Sequence, residues 1–376
     1  MKIFLNLISV NAGGQLIRAS KFLKKIEKDN KDIQVLVVKK KSVLSEIKST
    51  ENRNVINLAE KFNLFKRLWW ENFEMYNLIE YHSCDVFLTF SHYLPIKKIN
   101  IPTIVGISNL APFSKVALSE EKLYYKLKFW ILGKTIIHSA KKANCILALS
   151  LTAKDKLIDL GLKPTKVFYN PIGVDNFWKI DVKNYAKPKV YDFRKKYFLY
   201  VSHFYRYKNH FRLIKAYSLL PSNVKNKYNL ILIGSPFNKP YFEETKNLIL
   251  NLNLEQNIIL IPGLCREDLR FFYQNSSLFI FPSLVENCPN ILLEAMASGN
   301  PICTVDIDPM KEYCMNAAFY FDGNNIESIK NSIIKYLSSK DNCKELKNRS
   351  LQRSEDFSWD HFCENLIKII TNLYKK

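Results

Sequence analysis

Two glutamates eight positions apart, Glu286 and Glu294, are where chemistry is most directly legible in this chain. Glu286 falls in an irregular stretch after the apolar run Ser277–Pro282. Glu294 lies inside Asn290–Ser298, which reads as a short helix stopped by Gly299 and then Pro301. Pro289 suits a first helical position, where its missing N–H costs nothing. The spacing thus puts one carboxylate on a loop and the other on the helix that follows. Carboxylates accept hydrogen bonds from sugar hydroxyls. The helix N-terminus at Asn290-Ile291 offers free N–H groups and a partial positive charge that suit a phosphate. A nucleotide sugar carries both groups. Taken alone, the pair also fits an ordinary β-loop-α unit whose glutamates face water.

A second cluster lies about 80 residues upstream. The strand Phe198–Val201 leads into Ser202-His203-Phe204-Tyr205-Arg206-Tyr207-Lys208-Asn209 and then a helix from His210. Lys208 can act as a point charge on a phosphate and Arg206 as a bidentate clamp; a basic loop alone is usually just solvated. Gly263-Leu264 follows another strand, Ile258–Pro262. In the first half, Gly13-Gly14 separates a strand from a helix and permits close approach of a ligand, although a structural turn explains it as well. Ser108-Asn109 and Ser91-His92-Tyr93 follow strands 102–108 and 85–90. His92 reads as a surface or satisfied histidine, and His138 as packing. Asp306-Ile307-Asp308 has the form of a metal-binding D-x-D pair, but after a late strand it reads as a solvated loop.

The elements that must position these residues alternate strand and helix throughout, which predicts parallel, doubly wound sheets. At 376 residues the chain is long enough for two domains, and 47% hydrophobic residues exclude disorder. The charged, irregular stretch Asp175–Lys196 is the candidate linker. A single helix is expected over 64–82 and another over 119–143, N-capped by Ser119. The latter interleaves Tyr124, Tyr125, Phe129 and Trp130 with lysines. It suits either an anionic bilayer surface or a core helix whose lysines reach solvent. The net charge is +21; residues 1–180 hold 29 Lys/Arg against 15 Asp/Glu, and residues 181–376 hold 27 against 20. The eight cysteines form no C-x-x-C pair, which points to a reduced, cytoplasmic protein. No apolar run approaches the roughly 18 residues of a membrane span.

Taken together, Glu286…Glu294 with Ala295-Met296-Ala297-Ser298-Gly299-Asn300-Pro301, the Tyr200–Asn209 loop, Ile261-Pro262-Gly263 and Asn170–Asp175 resemble the family 4 retaining nucleotide-sugar glycosyltransferases. The resemblance covers most of residues 130–321. It implies an α/β GT-B fold, two Rossmann-like doubly wound domains facing across a cleft. Residues 1–178 would bind acceptor, 179–357 would bind donor, and the helix 358–376 would return to the first domain. By the same resemblance Glu294 binds the donor ribose, Glu286 a hydroxyl of the transferred sugar, and Lys208 the leaving diphosphate. His203, Gly263, Leu264, Asn290 and Ile291 complete the donor site, with Gly13, Gly14, Ser108 and Asn109 as first-domain loop candidates. No metal or further cofactor is implied. The family has Gly-Arg where this chain has Ser202-His203, and Arg206 is read as the substitute guanidinium. Ser108 stands where many members have a histidine. The implied activity is transfer to a glycan or lipid-linked acceptor in bacterial surface polysaccharide or lipopolysaccharide synthesis; the basic first half and the 119–143 helix add an expected place at the inner face of the cytoplasmic membrane. The rivals are a sugar-nucleotide epimerase or a pyridoxal-dependent phosphorylase on a similar fold, and a basic nucleic-acid-binding protein.

Overall fold

The computed structural model describes residues 1–10, 13–44, 47–58, 64–183 and 185–375, the side chains of 64–65 and 340–343 excepted. Asn11 and Ala12 of the glycine loop lie outside that set. The chain divides into two units. Met1–Pro112, Leu127–Gly173 and Trp359–Lys376 form the first; Phe113–Lys126 and Val174–Ser358 form the second.

The first unit holds a seven-stranded sheet of β1 (Lys2–Asn6), β2 (Gln34–Lys40), β3 (Arg53–Leu58), β4 (Val86–Thr89), β5 (Thr103–Ile107), β6 (Cys145–Ala148) and β7 (Val167–Tyr169). Their order is β3-β2-β1-β4-β5-β6-β7, every pair parallel. Strands such as β1 and β5 are apolar and buried along nearly their whole length because helices cover both faces of a parallel sheet. The helix Gly14–Asp29 buries Ala19, Phe22, Leu23 and Ile26, one stripe at helical spacing. The last helix, Trp359–Tyr374, packs on this same unit. Lys25 Nζ lies 2.9 Å from both Asp360 Oδ1 and Glu364 Oε1, and Asn170 Nδ2 donates to the Phe362 carbonyl at 3.1 Å.

The second unit holds β8 (Lys196–Val201), β9 (Tyr228–Ile233), β10 (Ile258–Ile261), β11 (Leu278–Phe281), β12 (Ile302–Val305) and β13 (Ala318–Phe321). The order is β10-β9-β8-β11-β12-β13, again all parallel. Strand order reverses between β8 and β11, the switch point outside whose C-terminal strand ends an open α/β sheet has its ligand crevice. Gly234, just past β9, lets the chain pass close: a Cβ at this position would lie 1.8 Å from the Ser202 carbonyl oxygen.

Several elements depart from the sequence reading. The helix expected over 64–82 is two, Leu64–Asn72 and Glu74–Tyr81, broken at Phe73, whose φ/ψ of −127°/−68° is not helical. Asn72 contributes, since its side chain donates to the Leu68 carbonyl and accepts from the Lys97 N–H. The helix expected over 119–143 is also two. Lys115–Glu120 is capped by Ser114, whose hydroxyl accepts from the Ala117 N–H at 3.2 Å. Glu121 is extended, and a new helix runs Leu123–Lys142. Ser119 caps nothing; its hydroxyl donates to the Val116 carbonyl. The stretch expected as a linker, 175–196, is no free linker, for Trp178 and Val182 are buried within the second unit and Gln274 Nε2 donates to the Trp178 and Ile180 carbonyls. His138 is exposed and does not pack.

The helix Leu123–Lys142 turns Ile136 and the small residues Gly133, Ser139 and Ala140 inward. Its first turns present Leu123, Tyr124, Leu127, Trp130 and Ile131 outward, each 52–81% exposed. Lys122, Lys126, Lys128 and Lys134 flank that outward stripe. The reading of a core helix with snorkelling lysines therefore fits the second half of this helix and fails for its first turns. Among the described residues, no helix is long and apolar enough to cross a membrane.

Candidate active site

The crevice between β8 and β11 receives two loops, and each is held by backbone contacts. The Tyr200 hydroxyl donates to the Lys208 carbonyl at 2.7 Å, and the Leu284 N–H donates to the Tyr207 carbonyl at 2.9 Å. Asn209 adopts the left-handed conformation (φ 65°) that ends the short 3₁₀ turn Arg206–Lys208. Its buried amide donates to the Pro282 carbonyl at 3.1 Å and to the Gly323 carbonyl at 2.7 Å, tying the two loops together. The result places Lys208 Nζ 2.5 Å from Glu286 Oε1, both side chains largely withdrawn from solvent. A cation and a carboxylate 78 residues apart in sequence thus meet at the point where an α/β sheet binds ligands.

Glu294 projects from the first turns of the helix Asn290–Ala297, which Gly299 (φ 71°) ends with the Gly299 N–H on the Met296 carbonyl. Its Oε2 accepts from the Tyr273 hydroxyl at 3.4 Å. Burial raises its carboxyl to about 8, opposed by the charge of Arg266. Arg266 stacks over Phe177 and Trp178 and pairs with Asp175 at 2.9 Å. Asn290 Oδ1, at the start of the same helix, is enclosed and has no protein partner. Gly263 (φ 157°) and Leu264 lie in the loop after β10, just before the helix Arg266–Asn275.

The predicted donor residues thus fall on loops after strands of the second sheet and on the helix Asn290–Ala297, but with different engagements. Arg206 is not left free to clamp a phosphate: its guanidinium pairs with Glu244 and lies over the Tyr241 ring. His203 rests edge-on against Phe237, ring centroids 4.5 Å apart. In the first unit, Gly13 (φ 77°) N-caps the helix begun by Gly14, and that helix meets Ser108, whose hydroxyl accepts from Arg18 Nη2 at 2.6 Å. Asn109 accepts from the Ala111 N–H. His92 is neither satisfied nor a simple surface group. Its Nδ1 is enclosed without a partner, and burial, with the charge of Arg67, lowers it to about 4. Asp306 is exposed and pairs with Lys311 at 3.1 Å, as a solvated loop would. Among the described residues, no group of three or more His, Cys, Asp or Glu is placed to hold a metal ion.

Tyr273 and Glu244 escaped the sequence reading. Tyr200 was read only as the start of the Lys208 loop, and Arg266 stands three residues after Gly263, at the start of the helix Arg266–Asn275. Tyr273 and Glu244 act through partners that only the fold brings near.

The glycosyl transferases group 1 family model matches residues 182–353. An uncharacterized glycosyltransferase of Haemophilus influenzae is 25% identical over 280 residues, covering 72% of this chain and 76% of that protein. The O-antigen chain mannosyltransferase RfbU of Salmonella typhimurium is 22% identical over 287 residues, 74% of each. Among solved structures, the sucrose-phosphate synthase of Thermosynechococcus elongatus superposes with a TM-score of 0.79 at 16% identity, over 100% of this chain and 99% of that one. Anabaena HepE in complex with UDP-glucose gives 0.76 at 14%, over 99% and 100%. The fold is GT-B, and the match favours the glycosyltransferase reading over the epimerase, phosphorylase and nucleic-acid readings. Residues 182–353, within the second unit, are thus a segment that matches the glycosyl transferases group 1 family.

Proposed function

We propose that this chain is a retaining glycosyltransferase. It moves a sugar from a nucleoside-diphosphate sugar to a glycan or lipid-linked acceptor in bacterial surface polysaccharide or lipopolysaccharide synthesis. The observation that carries the reading is the Lys208–Glu286 pair at the strand-order switch of the second sheet. A donor diphosphate draws Lys208 away from Glu286, and the released carboxylate accepts from a hydroxyl of the transferred sugar. Lys208 and the helix N-terminus at Asn290-Ile291 then stabilise the charge that develops on the leaving diphosphate. Glu294 accepts from the ribose hydroxyls. Gly263 and Leu264 meet the base through backbone groups, with no metal in the reaction. Ser108, Asn109 and the Gly13-Gly14 turn belong to the acceptor side.

The RfbU mannosyltransferase supports a polysaccharide acceptor, and the UDP-glucose complex of HepE supports the donor class. A panel of nucleoside diphosphates tests the reading by thermal unfolding. A diphosphate at 100-fold excess over its Kd stabilises the folded chain by about 2.7 kcal/mol, visible as a raised midpoint. If no nucleotide of the panel moves the midpoint, the reading fails.

The outward stripe of the helix Leu123–Lys142 favours work at the inner face of the cytoplasmic membrane. Leu127, Trp130 and Ile131 enter the interface while Lys126, Lys128 and Lys134 meet anionic headgroups. The protein is expected to co-sediment with vesicles containing phosphatidylglycerol, and much less with phosphatidylcholine alone. Leu127→Ser with Trp130→Ser is expected to weaken that binding about tenfold or more, given the apolar area withdrawn. Equal sedimentation of wild type and variant contradicts this face.

A further inference from the structure

The segment Phe113–Lys126 groups with the second unit, although the residues on both sides of it belong to the first. Three consecutive residues of this strap engage the loop that carries Lys208, Glu121 directly at Arg206 and its two neighbours through Arg212 and Glu244 on the adjoining helices. Glu120 Oε1 accepts from Arg212 Nη2 at 2.9 Å, and Arg212 Nη1 donates to Asn209 Oδ1 at 3.0 Å. Asn209 is the residue whose amide ties the Lys208 loop to Pro282, so the strap is linked to both walls of the crevice. Lys122 Nζ lies 3.0 Å from Glu244 Oε1, while the other oxygen of that carboxylate holds Arg206. Between them Glu121 is only 4% exposed, with neither carboxylate oxygen paired to a side chain. Burial raises its carboxyl, opposed by the charge and backbone of Arg206.

Each link alone is modest, because the ion pairs are partly solvated. Their arrangement is what matters. Arg206 and Arg212 flank Lys208 and Asn209, and both guanidinium groups are held by acidic groups belonging or tied to the strap. A turn fixed at both ends presents the Lys208 amine along one direction, whereas a loose turn must order itself when the diphosphate binds.

We infer that the Phe113–Lys126 strap is part of the donor site, with Glu120 a positioning residue that acts through Arg212 and Asn209 to set Lys208 for the diphosphate. This rests on the donor reading above. UDP and GDP, with uridine and guanosine as probes lacking phosphate, are titrated into the full chain and into Glu120→Ala, Arg212→Ala and the swapped pair Glu120→Arg/Arg212→Glu. Each single variant is expected to weaken the bound diphosphate about tenfold, with the corresponding nucleoside unchanged and the swap recovering part of the loss. Unchanged diphosphate affinity in both single variants overturns the inference. So does equal weakening of nucleoside and diphosphate, which indicates general damage. Wild type that binds neither diphosphate overturns the donor reading itself, and the inference with it.

Discussion

Lys208→Ala is expected to slow sugar transfer by roughly 10²–10³-fold, with donor hydrolysis falling in parallel, because it removes a fixed cation from a group whose negative charge grows as the bond breaks. The donor KM moves less than kcat, since the ground-state diphosphate is already charged and keeps the helix N-terminus as a partner. The backbone of the turn does not rest on this amine. Tyr200 holds the Lys208 backbone rather than its side chain, and Asn209 fixes the loop independently. The loss should therefore appear without a matching fall in thermal midpoint. Steady-state rates with saturating donor and acceptor, set beside unfolding curves, check both halves. A variant that keeps wild-type kcat removes Lys208 from the chemistry.

Glu294 governs the second large effect, which depends on pH. Its carboxyl is raised from 4.5 to about 8, chiefly by burial. The ligand-free chain therefore favours the neutral acid at pH 7, while two ribose hydroxyls bind best to the carboxylate. Donor affinity is expected to improve as pH rises towards about 8 and to weaken below it, approaching tenfold per pH unit where the acid dominates. In Glu294→Gln, donor affinity should fall roughly 10–100-fold at high pH, the range for a lost charged hydrogen bond, and its pH profile should be flat. Stability of the free protein runs the other way. A group whose folded value lies above its unfolded one contributes stability below the unfolded value. That contribution is lost as pH rises from about 4.5 to about 8. Donor titrations between pH 6 and 9 and ligand-free melting curves over the same range read the two opposite slopes.

Much of this site was legible in the sequence because its residues stand at strand ends, where hydrophobic runs stop abruptly. Lys208 and Glu286 each follow a short apolar run, and in a parallel sheet such positions gather at one edge. Their contact is another matter: it depends on β8 and β11 being neighbours, which no local pattern specifies. Arg206 shows the same limit. Its type and place suit a phosphate, yet Glu244, on a helix that follows another strand, lies near enough to take it. Tyr273 reads as core because its ring is core; only its hydroxyl reaches Glu294. The broken helix at Glu121 was hidden for a related reason. Good helix formers stand on both sides, and the break comes with the burial of Glu121 against the Arg206 turn. The outward apolar stripe of Leu123–Ile131 was visible as residues but not as a face, since its periodicity fits inward and outward packing equally.

The pairing of Lys208 with Glu286 in the unliganded chain gives the most direct test. The central claim is that a nucleoside diphosphate takes Lys208 over from Glu286. The measurement is the equilibrium affinity for the diphosphate that stabilises the wild type, in Lys208→Ala and in Glu286→Gln. Lys208→Ala is predicted to weaken the diphosphate. Glu286→Gln is predicted to tighten it, because a competing carboxylate 2.5 Å from the amine has lost its charge. Affinities that stay unchanged in both variants, or that fall equally in both, would contradict the account.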